Sequence, residues 1–183
     1  MNKLLVVLVM LAQFYVLPVF ARDYEIELLI FERVTPSPDT EEQWNAGSNQ
    51  ILAHQEELRD SSTSSVKLPL KQGVSRLNRL EKELLGSGYR LLSSSHWRQP
   101  GEVFQNAPVV NVSRADNRML GYLKIYNTSL IFADINLGLV DPLVDPHQPS
   151  YFISEKRRLK FKEIHYFDHP RFGAILGVWP AEQ

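Results

Sequence analysis

The chain has 183 residues, 44% hydrophobic and 22% charged, which is enough apolar material for one ordinary globular core. Twenty Lys and Arg against twenty-one Asp and Glu leave a net charge of −1, so bulk charge gives no reason to expect a dedicated nucleic-acid binder. With no cysteine, a disulfide scaffold, thiolate catalysis, iron–sulfur clusters and every zinc site that needs sulfur are excluded.

In chain order, Lys3 precedes an apolar run from Leu4 to Leu11, and Val19-Phe20-Ala21 closes the segment with small residues at minus three and minus one. This is the pattern of a secretory signal peptide cleaved after Ala21. Gln13 and Pro18 interrupt a stretch barely as long as the roughly 20 residues a bilayer core requires, so a membrane anchor is the weaker reading. Residues 22–183 are expected as one exported domain that does not span a membrane; in a Gram-negative bacterium the destination is the periplasm. Residues 22–70 hold ten acidic and four basic side chains, net −6, whereas 71–183 hold eleven acidic and fifteen basic, net +4. The C-terminal part therefore suits an anionic partner although the whole is slightly acidic.

Residues 23–33 read as a first strand: Tyr24, Ile26, Leu28 and Ile30 share one face, and Leu29 and Phe31 make its later half apolar on both. Residues 35–65 carry Pro36, Pro38, Gly47 and a Ser/Thr tract, with a weak helical hint at Ile51, Leu52 and Leu58, and are expected to be mostly a mobile loop. A helix is predicted over 73–85, where Val74, Leu77, Leu80 and Leu84 recur at three- and four-residue steps and Gly86 and Gly88 supply stops. Further strands are predicted over 89–97, 121–126, 130–137, 151–159, 163–167 and 174–179, with a hairpin turn at Asn127-Thr128-Ser129. Short antiparallel strands with one principal amphipathic helix packed on the sheet argue for a single α+β domain, ferredoxin-like or related. No glycine-rich phosphate loop follows the first strand, and no cofactor is expected.

Residues 156–162 place five cations in seven positions: Lys156, Arg157, Arg158, Lys160 and Lys162. A charged edge strand that resists aggregation is one reading, and a strip for carboxylates or phosphates is the other; strand alternation would put Arg157 and Arg158 on opposite faces. His165, Asp168 and His169 are nitrogen and oxygen donors for a divalent metal, the basis of an alternative reading as a metal-dependent hydrolase. Pro170 favours an extended backbone at His169, so Asp168, His169, Pro170 and Gly173 are expected to form a structural turn instead. Ser93-Ser94-Ser95 beside His96 lacks a strand–turn–helix elbow, and catalysis is not expected. Trp44, Trp97 and Trp179 offer indoles that stack on sugar faces when exposed; Trp179, on an apolar terminal strand, reads as core.

Four segments taken together carry a resemblance: 24–31 (YEIELLIF), Glu42-Gln43-Trp44, Tyr89-Arg90-Leu91-Leu92 with His96-Trp97-Arg98-Gln99-Pro100, and Arg157-Arg158 with Glu163-Ile164-His165-Tyr166-Phe167-Asp168-His169-Pro170 and Phe172-Gly173. The pattern resembles the CsiV family of periplasmic peptidoglycan-binding proteins. That resemblance implies a non-enzymatic role in wall synthesis, by assisting a bifunctional penicillin-binding protein and its outer-membrane lipoprotein activator. A protein–protein adaptor without direct wall contact is the remaining alternative. The expected contact surface is Arg157, Arg158 and Lys160 with Arg98, Trp97 and Trp44.

Overall fold

In the computed structural model, which describes residues 23–34, 48–61, 65–67 and 74–181, strand β1 spans Asp23–Arg33. Tyr24, Ile26, Leu28 and Ile30 enter one core, and Leu29 and Phe31 enter a second on the opposite face. A strand apolar on both faces takes a central position. β1 pairs antiparallel with β3 (Tyr89–Pro100) on one side and β9 (Phe172–Pro180) on the other, and β8 (Ile164–His169) completes a sheet ordered β3-β1-β9-β8. A second sheet contains β2 (Ser65–Lys67), β4 (Val109–Asn111), β5 (Met119–Asn127), β6 (Ile131–Leu139) and β7 (Tyr151–Arg158), in the order β2-β4-β5-β6-β7. Its pairs are antiparallel except β2 with β4.

The main core lies between the sheets, where Ile26, Leu28, Leu176 and Val178 of the first share one cluster with Leu123, Ile125, Ala133 and Ile135 of the second. The β5–β6 hairpin has the expected register, Leu123 opposite Ile135 and Ile125 opposite Ala133. The class is α+β with mainly antiparallel pairing, as expected, but the sheet is split into two stacked layers, each with a helix on its outer side. The related arrangement, rather than the ferredoxin-like one, is found: β1 and β3 are antiparallel neighbours, whereas a βαβ unit needs its two strands parallel.

Two elements differ from expectation. The predicted helix begins five residues late, as α2 over Asn78–Gly86; α1 covers Ser48–Asp60 inside the stretch expected to be mostly loop. The delay has a physical cause in Glu27 of β1. Its carboxylate accepts the Ser75 hydroxyl, the Arg76 amide at 2.9 Å and the Leu77 amide at 3.0 Å, so the helix entrance is held as a turn by a cap from another element. Burial pushes the Glu27 carboxyl up, but the bonds from Ser75, Arg76 and Leu77 outweigh it and hold it below its ordinary value. Val74, assigned to the apolar stripe, is left 86% exposed before the helix starts.

α1 escapes periodicity arguments because polar groups help to dock it. His54 Nε2 lies 2.9 Å from Asp134 Oδ1 of β6, Asn136 Nδ2 donates to the Ile51 carbonyl at 3.0 Å, and Lys124 Nζ of β5 donates to Ser61 Oγ at 2.9 Å. Leu58 is its fully buried apolar anchor.

Candidate functional site: an arginine-lined cleft

Strand pairing gathers six strand ends at one end of the sandwich. Glu32 of β1 pairs with Arg90 of β3 and with Phe172 of β9, Met119 of β5 pairs with Leu139 of β6, and Leu139 pairs with Tyr151 of β7. The space they enclose is a cleft of about 370 Å³, walled by Arg33, Arg90, Arg118 and Arg171 together with Glu32, Asp141 and Tyr151. The four arginines are far apart in sequence and meet only because antiparallel register returns each strand to the same end.

Within the cleft, Glu32 accepts Arg118 Nη2 at 2.8 and 3.0 Å and Arg90 Nε at 3.1 Å, with Arg90 Nη2 in closer contact. Arg171 Nη2 donates to Asp141 Oδ2 at 3.2 Å and to the Tyr151 hydroxyl at 2.9 Å, and the same hydroxyl donates to Asp141. Arg33 faces Asp168 at 3.6 Å; burial opposes its charge, yet Tyr166 and Asp168 hold its guanidinium above the ordinary value. Its Nε is buried without a hydrogen-bond partner. Four lining arginines face two lining carboxylates and, just outside the lining, Asp168, which leaves an excess of one positive charge.

Arg171 of the lining is carried by the β8–β9 turn. His169 Nδ1 accepts the Arg171 amide at 3.1 Å and is almost fully buried, and burial pulls its pKa down to about 4. His169 pairs with Phe172 across Pro170 and Arg171, and Gly173 leaves the space taken by the Phe31 ring, whose Cζ would lie 2.8 Å from an added Cβ. Asp168 accepts the Tyr166 hydroxyl at 2.6 Å.

β8 alternation sends Asp168 to the face opposite His165 and His169, which removes the geometry behind a metal-dependent hydrolase. His165 Nε2 instead accepts the Lys160 amide at 3.1 Å. Among the described residues no group of three or more His, Asp or Glu could hold a metal ion.

The basic strip is dispersed. Arg157 donates to Glu155 Oε2 at 2.6 Å and to the Tyr166 carbonyl at 2.9 Å, its guanidinium lying over the Phe167 ring. Arg158 is exposed on the other face of β7, and Lys160 Nζ is 3.4 Å from Glu163. Arg98 pairs with Asp23 at 2.8 Å on β3, at the opposite edge of its sheet from β8. Trp97 is not a surface platform: it is 9% exposed in the inter-sheet core and its indole N–H donates to Gln99 Oε1 at 3.0 Å. Trp44 lies outside the described residues. Trp179 is half-buried and packs on the outer apolar cluster under the Arg76 guanidinium. Arg33, Arg90, Arg118 and Arg171 were missed because single arginines at such separations form no motif; their one trace is the positive balance of residues 71–183.

No curated protein and no solved structure shows significant similarity to the chain. One family model matches residues 3–181, that described as peptidoglycan-binding protein, CsiV. A match over nearly the whole length places the chain in the CsiV family of peptidoglycan-binding proteins.

Proposed function

We propose that the chain is exported to the periplasm with removal of residues 1–21 and binds peptidoglycan there without catalysing a reaction on it. The observation that carries this reading is the family match over residues 3–181. Binding supports wall synthesis by holding the protein where a bifunctional penicillin-binding protein and its outer-membrane lipoprotein activator work. The cations of the cleft supply the main attraction; Arg157, Arg158, Lys160, Arg98 and Trp44 add weaker contacts. An exposed ion pair contributes on the order of 1 kcal/mol or less, so affinity depends on the repetition of sites along the wall.

The test is cosedimentation of the protein, purified from the periplasm, with isolated sacculi across a salt series with and without chelator. Pelleting is expected to fall as salt rises, since screening weakens exposed charge pairs, and to ignore the chelator. Changing both Arg157 and Arg158 to Ala is expected to reduce pelleting without abolishing it. No pelleting at low salt would overturn wall binding, and recovery of a synthase by cross-linking after complete wall digestion would then assign a protein partner instead.

A further inference from the structure

We infer that the arginine cleft is a subsite for the free carboxylates of uncross-linked peptide stems, an inference that rests on the wall-binding reading and names the moiety bound. Peptidoglycan sugars are neutral once the lactyl group carries its peptide, so the negative charge of the polymer sits on the stems. Cross-linking turns a terminal carboxyl into an amide, and an uncross-linked stem therefore offers one more carboxylate.

Three features of the cleft match that group. With Asp168 facing Arg33 counted, the four lining arginines still carry one positive charge beyond the carboxylates that balance them. The bonds to Glu32 and Asp141 use Nε and Nη2 of Arg90 and Nη2 of Arg118 and Arg171, a fraction of the five donors in each guanidinium fork, and those forks fit carboxylates bidentately. Arg33, also in the lining, faces Asp168 at 3.6 Å and its buried Nε has no hydrogen-bond partner among the described residues, so its guanidinium is held with donors unused. The volume, about 370 Å³, lies at the small end of the range for ligand sites and admits the end of a peptide rather than a glycan strand. Leu143, 95% exposed at the mouth, offers an apolar lip for alanine methyl groups.

Calorimetric titration of the protein purified from the periplasm tests this with three probes: a disaccharide-tetrapeptide muropeptide, the same compound with its carboxyls amidated, and the disaccharide without peptide. Amidation is expected to weaken binding at least tenfold and the bare disaccharide to give no measurable binding. Arg33→Gln and Arg118→Gln should each weaken the free muropeptide about fivefold, while Arg79→Gln, an equal loss of charge on exposed α2, should leave affinity unchanged. Glu32→Gln releases Arg90 and Arg118 from a competing carboxylate and should tighten binding about threefold, a gain that misfolding cannot mimic. Equal binding of free and amidated muropeptides, or wild-type affinity in both arginine variants, overturns the inference while sacculus pelleting leaves wall binding intact. Failure of sacculi to pellet overturns the wall reading itself.

Discussion

The two outer faces of the sandwich are covered in chemically opposite ways. On the first sheet, Leu77 at the entrance of α2 and Leu80 and Leu84 within it lie over Leu29, Phe31 and Ile175, and the buried charge there, Glu27, caps the helix. On the second sheet, α1 lies against Lys124, Asp134 and Asn136, all nearly or fully buried, and is joined to them by hydrogen bonds. Apolar burial is non-directional and needs only the right period, whereas a buried polar layer stabilises only when each donor finds its acceptor. The first face should therefore respond to lost volume and the second to lost partners.

The largest effect should come from below both faces. His169 has its pKa lowered to about 4 by burial, so the unfolded chain binds more protons between that value and the ordinary 6.5. Stability contributed by the neutral ring is present above about pH 6.5 and is lost as pH falls towards 4, a loss on the order of 3 kcal/mol. Chemical unfolding at pH 7 and pH 4.5 measures it, and His169→Gln should flatten the difference; an unchanged pH dependence in that variant would assign acid sensitivity to other groups. Next, Leu77→Ala removes a side chain 1% exposed and should cost about 3 kcal/mol. Glu27→Gln keeps the shape but weakens a charge-assisted cap, for about 2 kcal/mol, and should accelerate amide exchange at Arg76 and Leu77.

On the polar face, Asp134→Asn should cost about 1.5 kcal/mol, since it removes the charge that faces both His54 and Lys124. His54→Ala should cost less, about 1 kcal/mol, because His54 is one-third exposed. A double-mutant cycle on His54 and Asp134 sharpens the contrast: coupling near zero would mean that Leu58, not the polar layer, holds α1. If His54→Ala proved as costly as Leu77→Ala, the distinction between the faces would fail.

Legibility followed the same division. β1 was readable to its boundaries because Tyr24, Ile26, Leu28 and Ile30 alternate with residues buried on the far side, and the β5–β6 register followed from the same period of two. α2 was readable as a helix but not in its start, since the group that sets the start is Glu27, some fifty residues earlier. α1 showed only as a weak hint at Ile51, Leu52 and Leu58, because Asp134 and Asn136, which receive it, look like the solvent side of a strand until a helix is laid on them. Among candidate site residues, strand alternation already separated Arg157 from Arg158, which do face opposite ways, whereas Trp97, expected as a contact, is core.

By itself, the sequence determined what periodicity and composition can carry: an α+β chain, antiparallel pairing, the apolar stripe of α2, and in its C-terminal string a resemblance that the match over residues 3–181 bears out. Tertiary structure alone decided how the strands beyond the β5–β6 hairpin divide between two sheets, which carboxylate caps which helix, and that Arg33, Arg90, Arg118 and Arg171 line one cleft. The reason is range. Hydrophobic period is a property of ten neighbouring residues, whereas a charged site is assembled from single residues whose meeting depends on every register between them.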